Sequence, residues 1–324
     1  MDRPSWESID ARRLERSHLA ERAPHDRLLD VTRKILGVHA QLMTAAALAL
    51  SARVEGVTRA VVDRLLWDER SLVKGNTIRG TLHVQTPEDF ALWKSAYEPR
   101  WRTEMWLNWQ ELTLQEAERL RDGVLAVLDE PLTRREIGRA VGGPFGARIA
   151  EDSWGHLLSP ANDSVCHGPP RGREVTFVRA DVWLPGFRHV ERTEALQQLV
   201  DRYLATYGPV ERKELEHWFA RALPEEVTIG EAGDFPEAEP HSLRLLYHYD
   251  VYVIACHPRD HLIPDQKERV FLRGAGPSPT LLVDGRVAGV WTRKGKSIAV
   301  EPFSPLTKLQ LDELERERAR VLAT

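Results

Sequence analysis

A pattern of eleven residues that occurs twice in this 324-residue chain constrains the fold more than any other feature. Residues 131–141 read PLTRREIGRAV and residues 209–219 read PVERKELEHWF. Each copy begins with Pro at a turn, has Thr133 or Glu211 at the start of a helix, and then places an aliphatic residue on an inward-facing stripe. A short amphipathic helix would explain either copy alone. The repetition favours a helix-turn-helix that is used more than once.

The segments that follow the first copy favour a winged helix, in which two helices precede a two-stranded hairpin. A second helix is predicted over about 152–158, then a turn rich in Asn, Gly and Pro, and a β-rich run over 173–184. The same order occurs before residue 90, where a helix over 58–71 leads into the alternating strand TIRGTLHVQT at 77–86. We therefore predict an α+β fold with three tandem winged-helix modules.

The last eighty residues have a strand-like pattern that differs from the helical segments before them, and they predict a small C-terminal β-barrel or β-sheet domain. PTLLVDGRVAGVWTRKGKSIAVEPF alternates apolar and polar residues around the tight turns Asp284-Gly285 and Lys294-Gly295, which is typical of consecutive β-hairpins. The predicted domains are a first winged helix with the candidate catalytic loop at 1–110, a second at 111–190, a third at 191–250, and the C-terminal domain with a terminal helix at 251–324.

Composition excludes several classes of protein. With 42% hydrophobic and 29% charged residues, no long apolar run and no signal-peptide pattern, we expect a soluble cytoplasmic protein without membrane contact.

Cys166 and Cys256 lack metal-ligand spacing, so we expect reduced structural thiols. In HPRDH, Pro258 disfavours a helix that would pair His257 with His261, so we expect a solvated loop rather than a metal site. No Gly-rich phosphate loop precedes a helix, so we expect no cofactor; no protein partner is evident, and we expect a monomer.

Charge is distributed unevenly, which matters because the net charge of −4 argues against indiscriminate nucleic-acid binding. Acidic residues concentrate in outward segments, whereas several wings and turns are basic. Any single cation is best explained as a solvated surface residue, but clusters at turn tips indicate phosphate contacts. The candidate clusters are Arg171, Arg173 and Arg179 in the second wing, Arg100 and Arg102 beside Trp101, and Arg293, Lys294 and Lys296 in a C-terminal hairpin. The tip TRKGKS could enter a DNA groove or be an ordinary exposed turn.

Four tryptophans are clustered after the first wing. Trp93, Trp101, Trp106 and Trp109 could line a pocket or stack on bases. Core packing is the expected role for most of them, because the last three lie at spacings that a helix can bury.

Candidate catalytic residues lie near the N-terminus. A helix over about 25–36 meets Gly37, followed by Val-His-Ala-Gln and an alanine-rich helix that starts near Thr44. On a continuous helix His39 and Gln41 would point about 200° apart, whereas on an extended segment they share a face. Joint action requires a break, which Gly37 can supply by taking a left-handed conformation, with Thr44 as the N-cap of the next helix. Without further information, the pair is better explained as buried hydrogen-bonding residues.

Several motifs taken together resemble the winged-helix DNA glycosylases of the AlkZ and YcaQ type. They are LGVHAQ before the alanine-rich helix, the strand RGTLHV, the module YGPVERKELEHWF, the segment LLYHYDVYV and the hairpin PTLLVDGRVAGVW, and they extend over most of the chain. The resemblance implies three tandem winged helices and a C-terminal β-barrel that form a concave basic surface around double-stranded DNA. It also implies removal of N7-alkylated purines and, in some members, unhooking of interstrand crosslinks formed by genotoxins.

The resemblance assigns the catalytic pair to His39 and Gln41. The family has Gln, a small or aliphatic residue, and then Gln or Asp, so Gln41 matches as the water-positioning residue and His39 replaces the first Gln. His39 is then a substitute hydrogen-bonding group, a base, or a sign of altered substrate choice. The RGTLH pattern places Arg79, Thr81 and His83 near DNA or beside the catalytic loop, and a purely structural role for this strand is an equal alternative.

A site with only two catalytic side chains is sufficient for the excision of an alkylated purine. An N7-alkylguanine is already cationic and leaves as a neutral base, so no strong general acid is needed. Gln41 could accept a hydrogen bond from one water, and a neutral His39 could accept its proton, because an unperturbed imidazole has a pKa of about 6.5. No lysine stands out as a nucleophile, which favours hydrolysis without strand cleavage. The alternatives are a non-catalytic winged-helix transcriptional regulator and a lesion-binding resistance protein.

Overall fold

The computed structural model describes residues 4–96, 99–152, 155–237, 239–263, 266–272 and 276–324. Contacts within the chain divide it into two compact units. The first unit consists of Met1–Val62, His83–Gln85 and Gln197–Thr324, and the second consists of Asp63–Leu82 and Thr86–Leu196. The division into three winged helices and a C-terminal domain stays a prediction.

Helices predominate over strands in the described residues. The helices are α1 (Trp6–Arg16), α2 (Leu28–Lys34), α3 (Met43–Ser51), α4 (Arg59–Trp67), α5 (Pro87–Ser95), α6 (Glu104–Gln110), α7 (Leu114–Val127), α8 (Arg134–Val141), α9 (Gly143–Glu151), α10 (Ala180–Trp183), α11 (Arg192–Tyr207), α12 (Arg212–Phe219), α13 (Val251–Ala255), α14 (Arg259–Leu262), α15 (Lys267–Val270) and α16 (Lys308–Ala323). Short 3-10 helices cover His25–Arg27, Ile78–Gly80, Arg100–Arg102 and His156–Ala161. Over the described part of the chain, none of the helices combines the length and the apolar character that a membrane span requires.

The strands are short and form small antiparallel sheets. They are β1 (Val38–His39), β2 (Val73–Asn76), β3 (Leu82–Gln85), β4 (Leu132–Thr133), β5 (Val165–Arg171), β6 (Glu174–Arg179), β7 (Leu243–Leu246), β8 (Phe271–Leu272), β9 (Gly276–Pro277), β10 (Thr280–Val283), β11 (Arg286–Lys294) and β12 (Ser297–Pro302).

The first unit contains a four-stranded sheet in the order β12-β11-β10-β7. The two predicted C-terminal hairpins are confirmed, and Asp284 and Gly285 turn the chain with φ angles of 47° and 82°. Apolar residues of this sheet pack with α16 and with Leu48 of α3 in one buried cluster. The helix that follows the candidate catalytic loop is therefore anchored in the core of its own unit.

In the second unit, the first copy of the repeated pattern folds largely as predicted. Thr133 is the N-cap of α8, its hydroxyl accepts from the Glu136 N–H, and the Glu136 carboxylate accepts from the Thr133 N–H. Ile137 is fully buried, as its inward-facing position predicts. In the first unit, Glu211 and Glu214 form the equivalent capping box of α12. The predicted helix starts in both copies are thus confirmed.

The helix predicted over about 152–158 is only partly present: His156–Leu158 lie in the 3-10 helix His156–Ala161, whereas Asp152 lies outside any helix. The helix after α8 is α9, which ends at Glu151, and residues 153–154 lie outside the described residues. The Asp152 carboxylate accepts hydrogen bonds from the backbone N–H groups of Gly155 (3.0 Å) and Leu157 (2.7 Å). These bonds satisfy backbone N–H groups at the start of the 3-10 helix that begins at His156.

The two-stranded hairpin predicted after the first copy of the pattern is present, with shifted boundaries. β5 and β6 form a hairpin, and β6 also pairs with β4. The turn lies at Gly172, which has a φ of 64°, whereas the predicted turn residues from Gly168 onward belong to β5, where the register shifts. The predicted β run 173–184 ends in the helix α10 instead of continuing as a strand.

The predicted strand at 77–86 is wrong in its first half. Arg79 and Gly80 have φ angles of 55° and 72° and lie in a 3-10 turn. The Thr77 N–H donates to the Thr81 carbonyl at 3.0 Å, which closes this turn. A left-handed backbone is incompatible with a strand, so β3 begins only at Leu82.

Among the tryptophans, the core prediction is confirmed for Trp93, Trp101 and Trp106, which are at most 8% exposed. Trp109 is 59% exposed and contacts the His156 ring edge-on, so the prediction of burial is wrong for this residue.

The residues of HPRDH do not form the expected solvated loop. His257 is buried, and His261 lies in α14, stacks on Trp6 at 4.0 Å and contacts the Asp10 carboxylate at 2.7 Å. Within the described ranges, no group of three metal-capable side chains comes together. Cys166 and Cys256 are free and buried, as predicted.

Candidate active site

The predicted break between α2 and α3 is confirmed. The Leu36 N–H donates to the Arg33 carbonyl at 3.1 Å, and the Gly37 N–H donates to the Thr32 carbonyl at 2.9 Å. This is the hydrogen-bond pattern of a Schellman motif. Leu36 and Gly37 both have left-handed backbones, with φ angles of 65° and 87°. The left-handed residue that directly ends the helix is therefore Leu36, and Gly37 extends the turn.

Side chains of α11 satisfy the carbonyl groups at the end of α2. The Thr206 hydroxyl donates to the Lys34 carbonyl at 2.7 Å, and the Tyr207 hydroxyl donates to the Ile35 carbonyl at 3.2 Å. The last carbonyls of a helix have no partner within the helix, so these two bonds stabilise its end at this point.

Gly37 is required by close packing as well as by its backbone angle. A Cβ atom at this position would overlap the Gln85 side chain and the Val84 carbonyl of β3. The buried Gln85 side chain donates from Nε2 to the Leu36 carbonyl at 3.2 Å. The absence of a side chain at Gly37 thus lets the turn approach β3.

His39 lies on the two-residue strand β1, in a cluster of aromatic rings. It pairs with His83 across the antiparallel ladder with β3, and the two rings meet edge-on with centroids 5.6 Å apart. The Tyr249 ring stacks on the His39 ring with a centroid distance of 4.4 Å and an interplanar angle of 23°. His39 is half-buried, whereas His83 is buried. The predicted site residues His39 and His83 are thus in contact.

Gln41 is exposed on the bend between β1 and α3. α3 begins at Met43, and its N-cap is Leu42, whose side chain makes no capping bond, so the predicted N-cap at Thr44 is wrong. The helix that would have separated His39 from Gln41 is absent. Gln41 lies two residues after His39, past the end of β1.

Tyr249 contacts the candidate catalytic residue His39, and no sequence motif singled it out as a site residue. Its backbone is left-handed, with a φ of 58°, and it precedes Asp250, the N-cap of α13. Asp250 forms a fully buried, two-pronged ion pair with Arg53 at 2.6 and 2.9 Å. Arg53 also donates to the Ala49 carbonyl of α3 at 2.8 Å. The N-cap at Asp250 can be predicted from the apolar run after it. The stacking of Tyr249 on His39 joins positions 210 residues apart in sequence, so no local pattern indicates it.

The predicted DNA-contact residues fall into both units, and their role in DNA binding stays a prediction. Arg79 and Thr81 belong to the second unit, and burial lowers the pKa of the half-buried Arg79 guanidinium. At the β5–β6 hairpin, Arg171 contacts the Glu136 carboxylate at 2.6 Å, whereas Arg173 is exposed next to the turn.

Arg179 of the same cluster, and Arg102 of the cluster beside Trp101, also have partners within the chain. Arg179 pairs with Asp129 and Asp181, and Arg102 lies 3.5 Å from Glu118. Each of these guanidiniums is partly neutralised by a neighbouring carboxylate.

At the β11–β12 hairpin of the first unit, Arg293 donates to backbone carbonyls of Gly295 (3.1 Å) and Val321 (2.9 Å). Lys294 and Lys296 are exposed on either side of the turn. The tip therefore presents two solvated ammonium groups, which is compatible with phosphate contacts and with an ordinary surface turn.

Comparisons with known proteins agree in family and fold. Residues 32–324 match the family model described as DNA glycosylase AlkZ-like. The chain is 27% identical, over an alignment of 356 residues, to an interstrand DNA cross-link repair glycosylase of Streptomyces sahachiroi, with 98% of this chain and 95% of that protein covered. The structure of Streptomyces sahachiroi DNA glycosylase AlkZ has a TM-score of 0.84 and 26% identity to this chain, covering 99% of this chain and 96% of that one. The protein described here belongs to the AlkZ-like DNA glycosylase family.

Proposed function

We propose that this protein is a monofunctional DNA glycosylase that hydrolyses the N-glycosidic bond of N7-alkylated purines in double-stranded DNA. Its substrates extend to bulky genotoxin adducts and interstrand crosslinks. The product is an apurinic site with an intact strand, and the biological roles are DNA repair and resistance to the cell's own genotoxin.

The break between α2 and α3 carries this proposal. It removes His39 from a helix, places it on β1, and leaves Gln41 exposed two residues later. An imidazole and a carboxamide are thereby both available on one short segment. Membership of a DNA glycosylase family supports assigning that segment to the reaction.

The proposed reaction needs only these two groups and one water. N7-alkylation makes the purine cationic, so the base departs as a neutral molecule while positive charge develops on the sugar. The Gln41 carbonyl oxygen accepts a hydrogen bond from the attacking water and directs its lone pair to C1′. Neutral His39 accepts the proton that the water loses. A protonated imidazole would repel the developing cation, so the neutral form is the active one.

The breadth of the substrate class is supported by exposure and by a relative. Gln41 lies at the surface rather than inside an enclosed cavity, so a bulky adduct does not have to enter a tight pocket. The Streptomyces sahachiroi relative is named as an interstrand cross-link repair glycosylase. Lys294 and Lys296 are proposed to contact phosphates on the DNA that carries the lesion.

The direct test is base release from defined lesions. The protein is incubated with a duplex that carries one N7-methylguanine, with a duplex that carries a bulky N7 adduct, and with an N7-linked interstrand crosslink; abasic sites are then revealed by alkali. His39→Ala and Gln41→Ala should abolish release while DNA affinity persists. Exposed residues outside the loop provide matched controls, and His25→Ala and Gln115→Ala should release base like the wild type.

The outcomes separate the proposed function from its alternatives. Strand cleavage without alkali would contradict the monofunctional assignment. Tight binding to an undamaged operator without base release would favour a transcriptional regulator, and lesion-selective binding without release would favour a protein that shields damage. Full activity of His39→Ala and Gln41→Ala would show that the reaction uses other residues.

A further inference from the structure

The stacking of Tyr249 on His39 suggests more than core packing. The two rings are nearly parallel, with an interplanar angle of 23° and centroids 4.4 Å apart, and His83 meets His39 edge-on. Tyr249 and His39 are both half-buried, so the stack lies at the border between the interior and the surface where Gln41 is exposed. A half-buried imidazole can rotate about its χ2 bond unless neighbouring groups hold its plane.

Contacts on both the backbone and the ring of Tyr249 hold it in place. On the backbone side, its left-handed conformation leads directly into Asp250, which is fixed by the buried ion pair with Arg53. On the ring side, Gly276 of β9 approaches so closely that a Cβ atom there would overlap the phenol ring. A non-glycine residue in a left-handed backbone is strained, and such strain persists only where the surroundings over-determine it.

We propose that Tyr249 is a positioning residue for the glycosylase reaction: its ring fixes the plane of the His39 imidazole, and Gly276 together with the Arg53–Asp250 pair fixes Tyr249. This inference rests on the proposed function, because it takes His39 as the group that receives the proton from water. Tyr249 itself touches neither the water nor the sugar in this scheme.

The proposal has a pH signature that simple packing lacks. The groups that face the His39 ring include His83 on β3 and Tyr249 before α13. The face of an aromatic ring stabilises a cation above it, so Tyr249 favours protonated His39. Replacing the ring with an aliphatic side chain should move the acid limb of the rate profile to lower pH by about half a unit, whereas Phe should leave it unchanged.

The experiment combines NMR of the histidine rings with kinetics on the full-length protein. Spectra of protein labelled at histidine Cε1 are recorded for the wild type, Tyr249→Phe and Tyr249→Leu, and His39→Ala identifies the His39 resonance. Single-turnover base release from N7-methylguanine DNA is measured for the same proteins from pH 5 to 8. Tyr247→Leu is the matched control, because Tyr247 lies two residues away and contacts Trp291 and His248.

We expect an upfield ring-current shift of the His39 resonance in the wild type and in Tyr249→Phe. In Tyr249→Leu this shift should be lost, and the acid limb of the rate profile should move to lower pH. The single-turnover rate should fall about ten- to a hundredfold while DNA affinity stays unchanged. Tyr247→Leu should leave the His39 resonance and the acid limb in place.

Two results would overturn the proposal. One is a Tyr249→Leu variant with wild-type rate and pH profile. The other is a wild-type His39 resonance without a ring-current shift, which decides the question even if Tyr249→Leu fails to fold. If the wild type releases no base from any lesion, the proposed function fails, but the NMR spectra still report whether Tyr249 holds the His39 ring.

Discussion

Replacing Gly37 with Ala should destabilise the protein more than the same change at another left-handed glycine. Gly37 has a φ of 87°, and a Cβ atom there would overlap Gln85 and the Val84 carbonyl. The left-handed conformation costs an L-residue about 1–2 kcal/mol. Forcing the turn away from β3 adds about 1–3 kcal/mol. Loss of the hydrogen bond from Gln85 to Leu36 adds about 1 kcal/mol.

The expected total is about 3–6 kcal/mol of unfolding free energy, compared with about 5–15 kcal/mol for a typical domain. Gly56→Ala is the control, because Gly56 belongs to the same unit and has a φ of 68°. A Cβ atom at Gly56 would meet only the His25 ring, at an ordinary distance of 3.6 Å. The control should therefore lose only the conformational contribution, about 1–2 kcal/mol.

Urea denaturation followed by tryptophan fluorescence measures both variants. Base release by Gly37→Ala under conditions where it is folded should also fall, because a displaced turn shifts β1 and with it His39. Equal losses of stability in Gly37→Ala and Gly56→Ala would refute the reasoning, since the close approach to β3 would then contribute nothing.

Three further predictions follow from single groups. Base release should decline as pH falls from 8 to 5 if His39 is the base, and a flat profile measured in single turnovers would contradict that role. Asp250→Asn should lower the free energy of unfolding, measured by urea denaturation, by about 3–5 kcal/mol, because it leaves a buried Arg53 cation without its counter-charge. Adding Arg53→Met to Asp250→Asn should restore part of this loss. If the double variant loses as much stability as the two single variants together, the pairing is contradicted. Burial lowers the pKa of Lys94 from 10.5 to about 7, so above pH 7 the unfolded chain binds a proton that the folded chain does not. Stability should therefore rise between pH 7 and 9, by at most about 1.4 kcal/mol per pH unit from this group, and Lys94→Met should remove that contribution; an unchanged slope would contradict the lowered pKa.

Features determined by neighbouring residues could be predicted from the sequence. The capping boxes at Thr133 and Glu211 and the turn at Asp284-Gly285 depend on contacts between residues within a few positions of each other. The break after α2 has such a local part, the two backbone hydrogen bonds at Leu36 and Gly37, although contacts with α11 and β3 also hold it. The repeated pattern and the VHAQ segment were therefore interpreted correctly as helix starts and as an interrupted helix. The family was recognised because several such local motifs occur in a fixed order along the chain.

Features for which the sequence pattern allows two alternative structures could not be predicted. Asp152 was expected at the start of a helix, and its carboxylate does bond the N–H groups of Gly155 and Leu157, but the element that begins at His156 is a 3-10 helix and the α-helix α9 lies before Asp152. Arg79 lies in an alternating pattern typical of a strand, yet it takes a left-handed conformation. Trp109 has the spacing of its buried neighbours, but α6 leaves it on the outer face. In each case periodicity alone does not determine which alternative has the lower free energy.

The construction of the loop explains how position 39, the first of the proposed catalytic pair, can hold a different side chain without loss of the fold. A two-residue strand has almost no stability of its own. β1 is held by the close approach of Gly37 to β3, by the ladder with β3, and by the two hydroxyl groups of α11 that bond the end of α2. These contacts use backbone atoms of the loop and none of the atoms of the His39 ring. The side chain at position 39 is instead limited by the two rings that contact it, Tyr249 stacked on its face and His83 edge-on. The chemistry at this position can therefore change while the scaffold that presents it stays the same.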